Sequence, residues 1–115
     1  SGMARRGPEA RTRDAVVKYA RDRYAGKVLV RKQATTGFMG NTGDPDDEFN
    51  WINGHTEFVE FKSERGVCTP KQIQRHAELR ALGYTVTVVN CRVKGKDLVD
   101  VMYRRACRKA QRGTG

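Results

Sequence analysis

The sequence lacks the features that build an extracellular or membrane protein. Its three cysteines, Cys68, Cys91 and Cys107, are an odd number, and no Cys-x-x-Cys occurs. That pattern indicates neither a disulfide framework nor a zinc site and makes a reducing compartment the default. No apolar run approaches the ~20 residues of a membrane span. No secretory leader is visible, and no segment repeats. These absences predict a cytoplasmic, intracellular protein that does not enter a membrane. The 115 residues are the length of one domain. Ser1 and Gly2, ahead of Met3, read as an expression scar, which leaves a single domain over residues 3–115.

What the chain has in abundance is positive charge, +10 net from 23 Lys and Arg against 13 Asp and Glu. The charge is unevenly spread. Residues 1–32 hold ten basic and three acidic side chains, residues 33–90 five and eight, and residues 91–115 eight and two. Two basic ends thus flank an acidic middle. A basic surface is the footprint of a partner with a phosphate backbone. An acidic spot inside it repels phosphate unless a cation sits there, which suits a metal-dependent enzyme acting on nucleic acid.

Hydrophobic spacing predicts the elements. Pro8 opens a first helix over 9–24, with Val16, Val17, Ala20 and Tyr24 on one face, and Gly26 ends it. Residues 27–31 read as a short strand, and 35–43, with three glycines, as a loop. Two strands, 49–52 and 56–62, flank Asn53-Gly54, a strong hairpin signal. Thr69 and Pro70 cap and open a second helix, on which Ile73, Ala77, Leu79 and Leu82 lie near one side and which Gly83 stops. Residues 84–89 have high strand propensity. A last helix runs from Lys96 to about Gln111, with Leu98, Val101, Met102 and Ala106 inward. The order α-β-β-β-α-β-α predicts an α/β fold, a mixed central sheet flanked by helices.

Three residues carry the chemistry. Asp46 lies in the acidic loop Asp44-Pro-Asp-Asp-Glu48, and Glu60 and Lys62 lie two apart on one strand, hence on one face with Phe58. Asp46 and Glu60 offer the hard oxygens that Mg²⁺ takes, and the Phe61 carbonyl can add another. Lys62 can position a water and stabilise developing negative charge. Each piece alone is commonplace: Glu-x-Lys is a frequent solvent-face pair, and an acidic turn is usually only a turn. Their combination in a very basic chain points to phosphodiester hydrolysis by water. Phe58 gives their face apolar character and predicts that it is turned toward the core.

Gly43-Asp-Pro-Asp46 followed by Glu60-Phe-Lys62 resembles the PD-(D/E)xK nuclease signature. Thr69-Pro-Lys-Gln72, a helix to Gly83 and Tyr84-Thr-Val-Thr-Val-Val89 extend the resemblance to the VRR-NUC branch, over about residues 9–99. The resemblance implies a restriction-endonuclease-like core and Mg²⁺ or Mn²⁺ dependence. It implies Asp46 and Glu60 as metal ligands, Lys62 as the catalytic lysine, Gln72 as the glutamine on the following helix and Glu9 as the acid of the first helix. Small members of this kind resemble virus-encoded homodimers that act on branched DNA such as Holliday junctions, with roles in DNA repair and recombination. Gln72 also completes a capping box with Thr69, and Glu9 stands where any acid favours a helix N-terminus. Asp47 competes with Asp46 on spacing alone.

Two basic stripes, Arg5, Arg6, Arg11 and Arg13 at one end and Arg104, Arg105, Arg108 and Lys109 at the other, are candidates for contacts with the DNA backbone. No element reads as a base-reading module, so DNA shape would set specificity. His55 reads as a solvated turn residue, His76, one turn on from Gln72, as a residue that can fall near the site but more often caps or packs, and Trp51 as core or dimer interface. The leading expectation is a metal-dependent, structure-selective DNA endonuclease. Its alternatives are a monomeric flap or nicking nuclease and a non-catalytic nucleic-acid-binding module of the same fold.

Overall fold

The computed structural model describes residues 7–33 and 43–113, with side chains through residue 110. Its elements are α1 (Pro8–Arg23), β1 (Val28–Lys32), β2 (Asp47–Trp51), β3 (His55–Phe61), α2 (Pro70–Ala81), β4 (Thr85–Val89) and α3 (Arg92–Gly113). This is the α-β-β-β-α-β-α order that the hydrophobic spacing predicts. The four strands form one sheet in sequence order, antiparallel from β1 to β3 and parallel between β3 and β4. A parallel neighbour needs a crossover, and α2 supplies it.

The sheet is covered on both faces. α1 and α3 pack together on one side, and the main core lies there: Val16, Val17 and Ala20 of α1, Phe49 and Trp51 of β2, Val59 and Phe61 of β3, and Val99, Met102 and Ala106 of α3. Trp51 therefore falls in the core. α2 lies across the other side and buries Phe58 and Glu60. Strand alternation holds, but the principal core is on the Val59 and Phe61 side, not the Phe58 side. Covering both faces is why all of Glu57–Phe61 is buried.

Several boundaries differ from those the sequence predicts. β2 begins two residues earlier, at Asp47, and Ile52 leaves the strand for a short 3₁₀ turn over Ile52–Gly54. Asn53 and Gly54 both take positive φ there, and the Asn53 amide donates to Ala106 O at 3.1 Å, which ties the turn to α3.

α3 begins at Arg92 rather than at Lys96. Gly95, just ahead of the predicted start, sits inside the first turns, where the helix comes too close to its neighbours for a side chain. A Cβ at this position would lie 2.3 Å from Val16 Cγ2 and 3.1 Å from Val89 Cγ1. The buried line of α3 is then Gly95, Val99, Met102 and Ala106. Val101, expected inward, is only half-buried, because the earlier start and the Gly95 contact set the helix's rotation.

α2 departs further from expectation. Ile73, Ala77 and Leu82 are exposed, Leu79 is half-buried, and the fully buried side chain is His76. α2 meets the sheet where β3 carries a carboxylate, so a polar residue occupies its inner face. Among the described residues no helix is long and apolar enough to cross a membrane.

Candidate active site

Chain direction brings the candidate residues to one end of the sheet. β3 and β4 end there, at Phe61 and Val89, and β2 begins there, at Asp47. The N-termini of α2 and α3 follow those strand ends by short connections, and Glu9 near the start of α1 lines the same cavity as Asp46. Unsatisfied N–H groups at helix starts make such an end favourable to anions.

The loop that enters β2 is fastened residue by residue. Gly43 rests on the α2 backbone, where a Cβ would stand 2.6 Å from Lys71 O. Asp44 Oδ1 accepts from Arg75 Nη1 of α2 at 2.6 Å. Asp46 Oδ2 accepts from the Phe61 backbone N–H at 2.7 Å, and its carbonyl accepts from Gln33 N–H at 2.8 Å. Asp47, wholly buried, accepts from Arg13 Nε at 2.9 and 3.1 Å and from Arg13 Nη2 at 2.8 Å. Burial pushes the Asp47 carboxyl up from its ordinary range, and the Arg13 guanidinium pulls it back.

Spacing leaves Asp46 and Asp47 as competitors; their surroundings differ. Asp47 faces α1, and its two oxygens are taken by Arg13. Asp46 is half-buried and lines a cavity of about 160 Å³ with Glu9, Ala10, Arg13, Lys32 and Phe61. Lys32, a cation on this wall, carried no signal in the sequence.

Glu60 is 1% exposed. Burial, then a hydrogen bond and the charge of Asp46, raise its pKa to about 9, against the pull of Lys62. With a second carboxylate beside it and little solvent, the metal-free Glu60 holds its proton well above the ordinary glutamate range. Lys62 follows directly on β3, and its backbone N–H still donates to Val89 O at 2.9 Å, so the strand geometry carries through it. Its charge acts on Glu60, His76 and Cys68. Asp46, Glu60 and Lys62 are thus brought together.

Across from Glu60 stands His76. Its Nε2 is 3.3 Å from Glu60 Oε1, with both side chains buried. Burial, with the charges of Arg80 and Lys62, depresses its pKa and favours the neutral ring. Sequence reasoning makes His76 a capping or packing residue. Its place one helical turn after Gln72 is the signal that keeps a position near the site open in the sequence. Gln72 itself completes the capping box: the Thr69 N–H donates to Gln72 Oε1 at 2.9 Å, and the Gln72 N–H to Thr69 Oγ1 at 3.2 Å.

The donor set suits a hard divalent cation: two adjacent carboxylates, one buried and protonated for want of positive charge. Phe61 directs its N–H at Asp46, and in extended backbone a residue's C=O points the same way, so its carbonyl faces the same space. Among the described residues no group of three His, Cys, Asp or Glu side chains could hold a metal. Glu9 is exposed on the cavity wall.

The basic candidates divide. Arg5 and Arg6 lie outside the described residues, as does most of the glycine-rich loop. Arg11 is exposed on α1. Arg13 is occupied by Asp47. Arg104 and Arg108 are exposed, Arg105 donates to Glu57 Oε1 at 2.8 Å, and Lys109 donates to Gly54 O at 2.9 Å. His55, expected in solvent, starts β3 half-buried with its Nε2 2.7 Å from Glu57 Oε2, because strand pairing begins at His55 and turns its ring toward that carboxylate.

A solved structure described as a VRR_NUC domain matches the chain with a TM-score of 0.61 and 31% sequence identity, over 77% of this chain and 95% of that one. Neither a family model nor a curated protein matches the sequence.

Proposed function

This chain belongs to the VRR-NUC family of nuclease-type domains, and from that premise we propose that it is a divalent-metal-dependent, structure-selective DNA endonuclease acting on branched DNA such as Holliday junctions. The observation that carries the reading is the Asp46 carboxylate fixed by the Phe61 N–H, on the strand whose end presents Glu60 and Lys62. Asp46, Glu60 and the Phe61 carbonyl would hold Mg²⁺ or Mn²⁺, with Glu9 reaching it through water. When bound, the cation lowers the pKa of a water and neutralises charge on the scissile phosphate. Lys62 places its ammonium beside the phosphate and opposes the negative charge that builds there. Gln72 holds the first turn of α2 in place beside these groups. The helix N-termini add a field that favours the phosphate.

We take the working unit to be a homodimer, since paired cutting of a four-way junction needs two centres related by symmetry. The test is cleavage of a labelled four-way junction beside linear, splayed and flap DNA, with Mg²⁺, Mn²⁺ or EDTA, for wild type and Lys62→Ala. Paired symmetric cuts, lost with EDTA and with Lys62→Ala, are the expected result. Cutting of flaps or single nicks alone, by a species that light scattering shows to be a monomer, replaces the junction reading. DNA binding without cleavage under every condition makes the chain a binding module.

A further inference from the structure

The opposite end of the sheet holds a second cluster that the cleavage chemistry does not use. Glu57 is fully buried there, three residues before Glu60 on β3 and on the other face of the strand, with both oxygens engaged: Oε1 by Arg105 from α3 and Oε2 by His55 from its own strand. A buried carboxylate is costly unless it is paired and hydrogen-bonded, and this one fixes two side chains at the mouth of a cavity. Of Arg105's five N–H donors, Glu57 takes one. The cavity, about 400 Å³, is lined by His55, Gly83, Arg105, Arg108 and Lys109. Three permanent cations against one carboxylate leave it positive.

An apolar or cationic ligand finds no match in such a lining. A phosphate does, because a guanidinium held in one orientation and a neighbouring ammonium offer convergent charged donors. The position says which phosphate. α3 starts beside the end of β4, where Lys62 pairs with Val89, and Arg105 lies 13 residues further along that helix. At 1.5 Å per residue that is roughly 20 Å from the cleavage end. One phosphodiester cannot reach both places, and in duplex DNA with a rise of 3.4 Å the separation is about six base pairs.

We propose that this cavity is a second DNA-backbone site, organised by Glu57, which grips a phosphate about six base pairs from the scissile one. The proposal rests on the nuclease reading for its choice of DNA, but its test does not require cutting. Binding of junction and duplex DNA is measured by fluorescence anisotropy in EDTA across a salt series, for wild type and for the Arg108→Ala/Lys109→Ala double variant. Both side chains are exposed, and a thermal melt checks that the variant is folded. Each lost phosphate contact removes about 0.9 from the slope of log affinity against log salt. The expected result is a slope shallower by about 1 and an affinity lower by about tenfold. A neutral methylphosphonate placed four to eight base pairs from the cut weakens wild type and leaves the double variant unaffected. An unchanged slope and affinity overturn the second site and leave the nuclease reading standing. The expected slope change in a protein that never cuts DNA keeps the site and overturns the nuclease.

Discussion

Glu60 is held from α2: one of its oxygens lies 3.3 Å from His76 Nε2, with both side chains sealed from solvent. That contact orients the carboxyl that also meets Asp46. Partners that orient a metal-binding side chain in this way typically change metal affinity by 10–100-fold when removed. His76→Leu is expected to raise the Mn²⁺ concentration for half-maximal cleavage by about tenfold, and to weaken Mn²⁺ binding measured by calorimetry without DNA. His76→Asn, which keeps a donor, is expected to lose less. Metal binding equal in all three proteins would reduce His76 to packing.

The pH dependence of stability follows from Glu60. Its folded pKa, about 9, lies above its ordinary value. In the window between the two, the metal-free folded protein keeps a proton that the unfolded chain releases. Stability from this group is therefore full below the ordinary glutamate range and is lost as pH rises through about 9. Glu60→Gln removes the penalty together with the ligand. In EDTA at pH 8 the variant is expected to melt above wild type, with the gap closing toward pH 5, while cleavage disappears. A variant that melts lower at pH 8 contradicts the assignment.

Arg13 is expected to act through Asp47 on folding. Arg13→Ala leaves a buried carboxylate without its partner, a change that typically costs about 3 kcal/mol or more. The Arg13→Met/Asp47→Leu double variant removes both charges and is expected to recover most of that loss in urea unfolding. If the double variant also binds DNA as wild type does, Arg13 is no backbone contact.

Gly43→Ala tests the loop that carries Asp46. Its Cβ would meet the Lys71 carbonyl at 2.6 Å, and a backbone atom in a helix cannot step aside as a side chain can. Overpacking of this kind typically costs about 1–3 kcal/mol. Cleavage is expected to fall further than stability, because the displaced segment ends in Asp46. Equal activity in the two proteins would mean that the loop shifts without moving the carboxylate.

Much of this was legible in the sequence where a single local rule decides. The element order follows from hydrophobic period, Asn53-Gly54 and the Thr69-Pro70 cap. Asp46, Glu60 and Lys62 were legible as a motif, since strand alternation alone places the last two together. What escaped was set by contacts distant in sequence. A helix predicted from Lys96 leaves Gly95 out until Val16 is seen lying against it. His76 reads as a helix residue among better apolar candidates until Glu60 is seen to need a polar neighbour. His55 reads as solvent-exposed until Glu57 is found buried beside it. Asp46 and Asp47 separate only once Arg13, 34 residues away, claims one of them.

The aromatic packing around β2 gives the protein a built-in optical probe. The chain has one tryptophan; Trp51 is 4% exposed, edge-on to Tyr24 and beside Phe49 and Tyr103. Its indole N–H meets no acceptor among the described residues, so its emission is that of an indole in a dry, apolar environment. Trp51 ends the strand that Asp47 begins, so the fluorophore sits a strand's length from the carboxylates. Red-shifted emission will therefore report unfolding in every variant above without a label. Cation binding beside Asp46 will leave that signal unchanged.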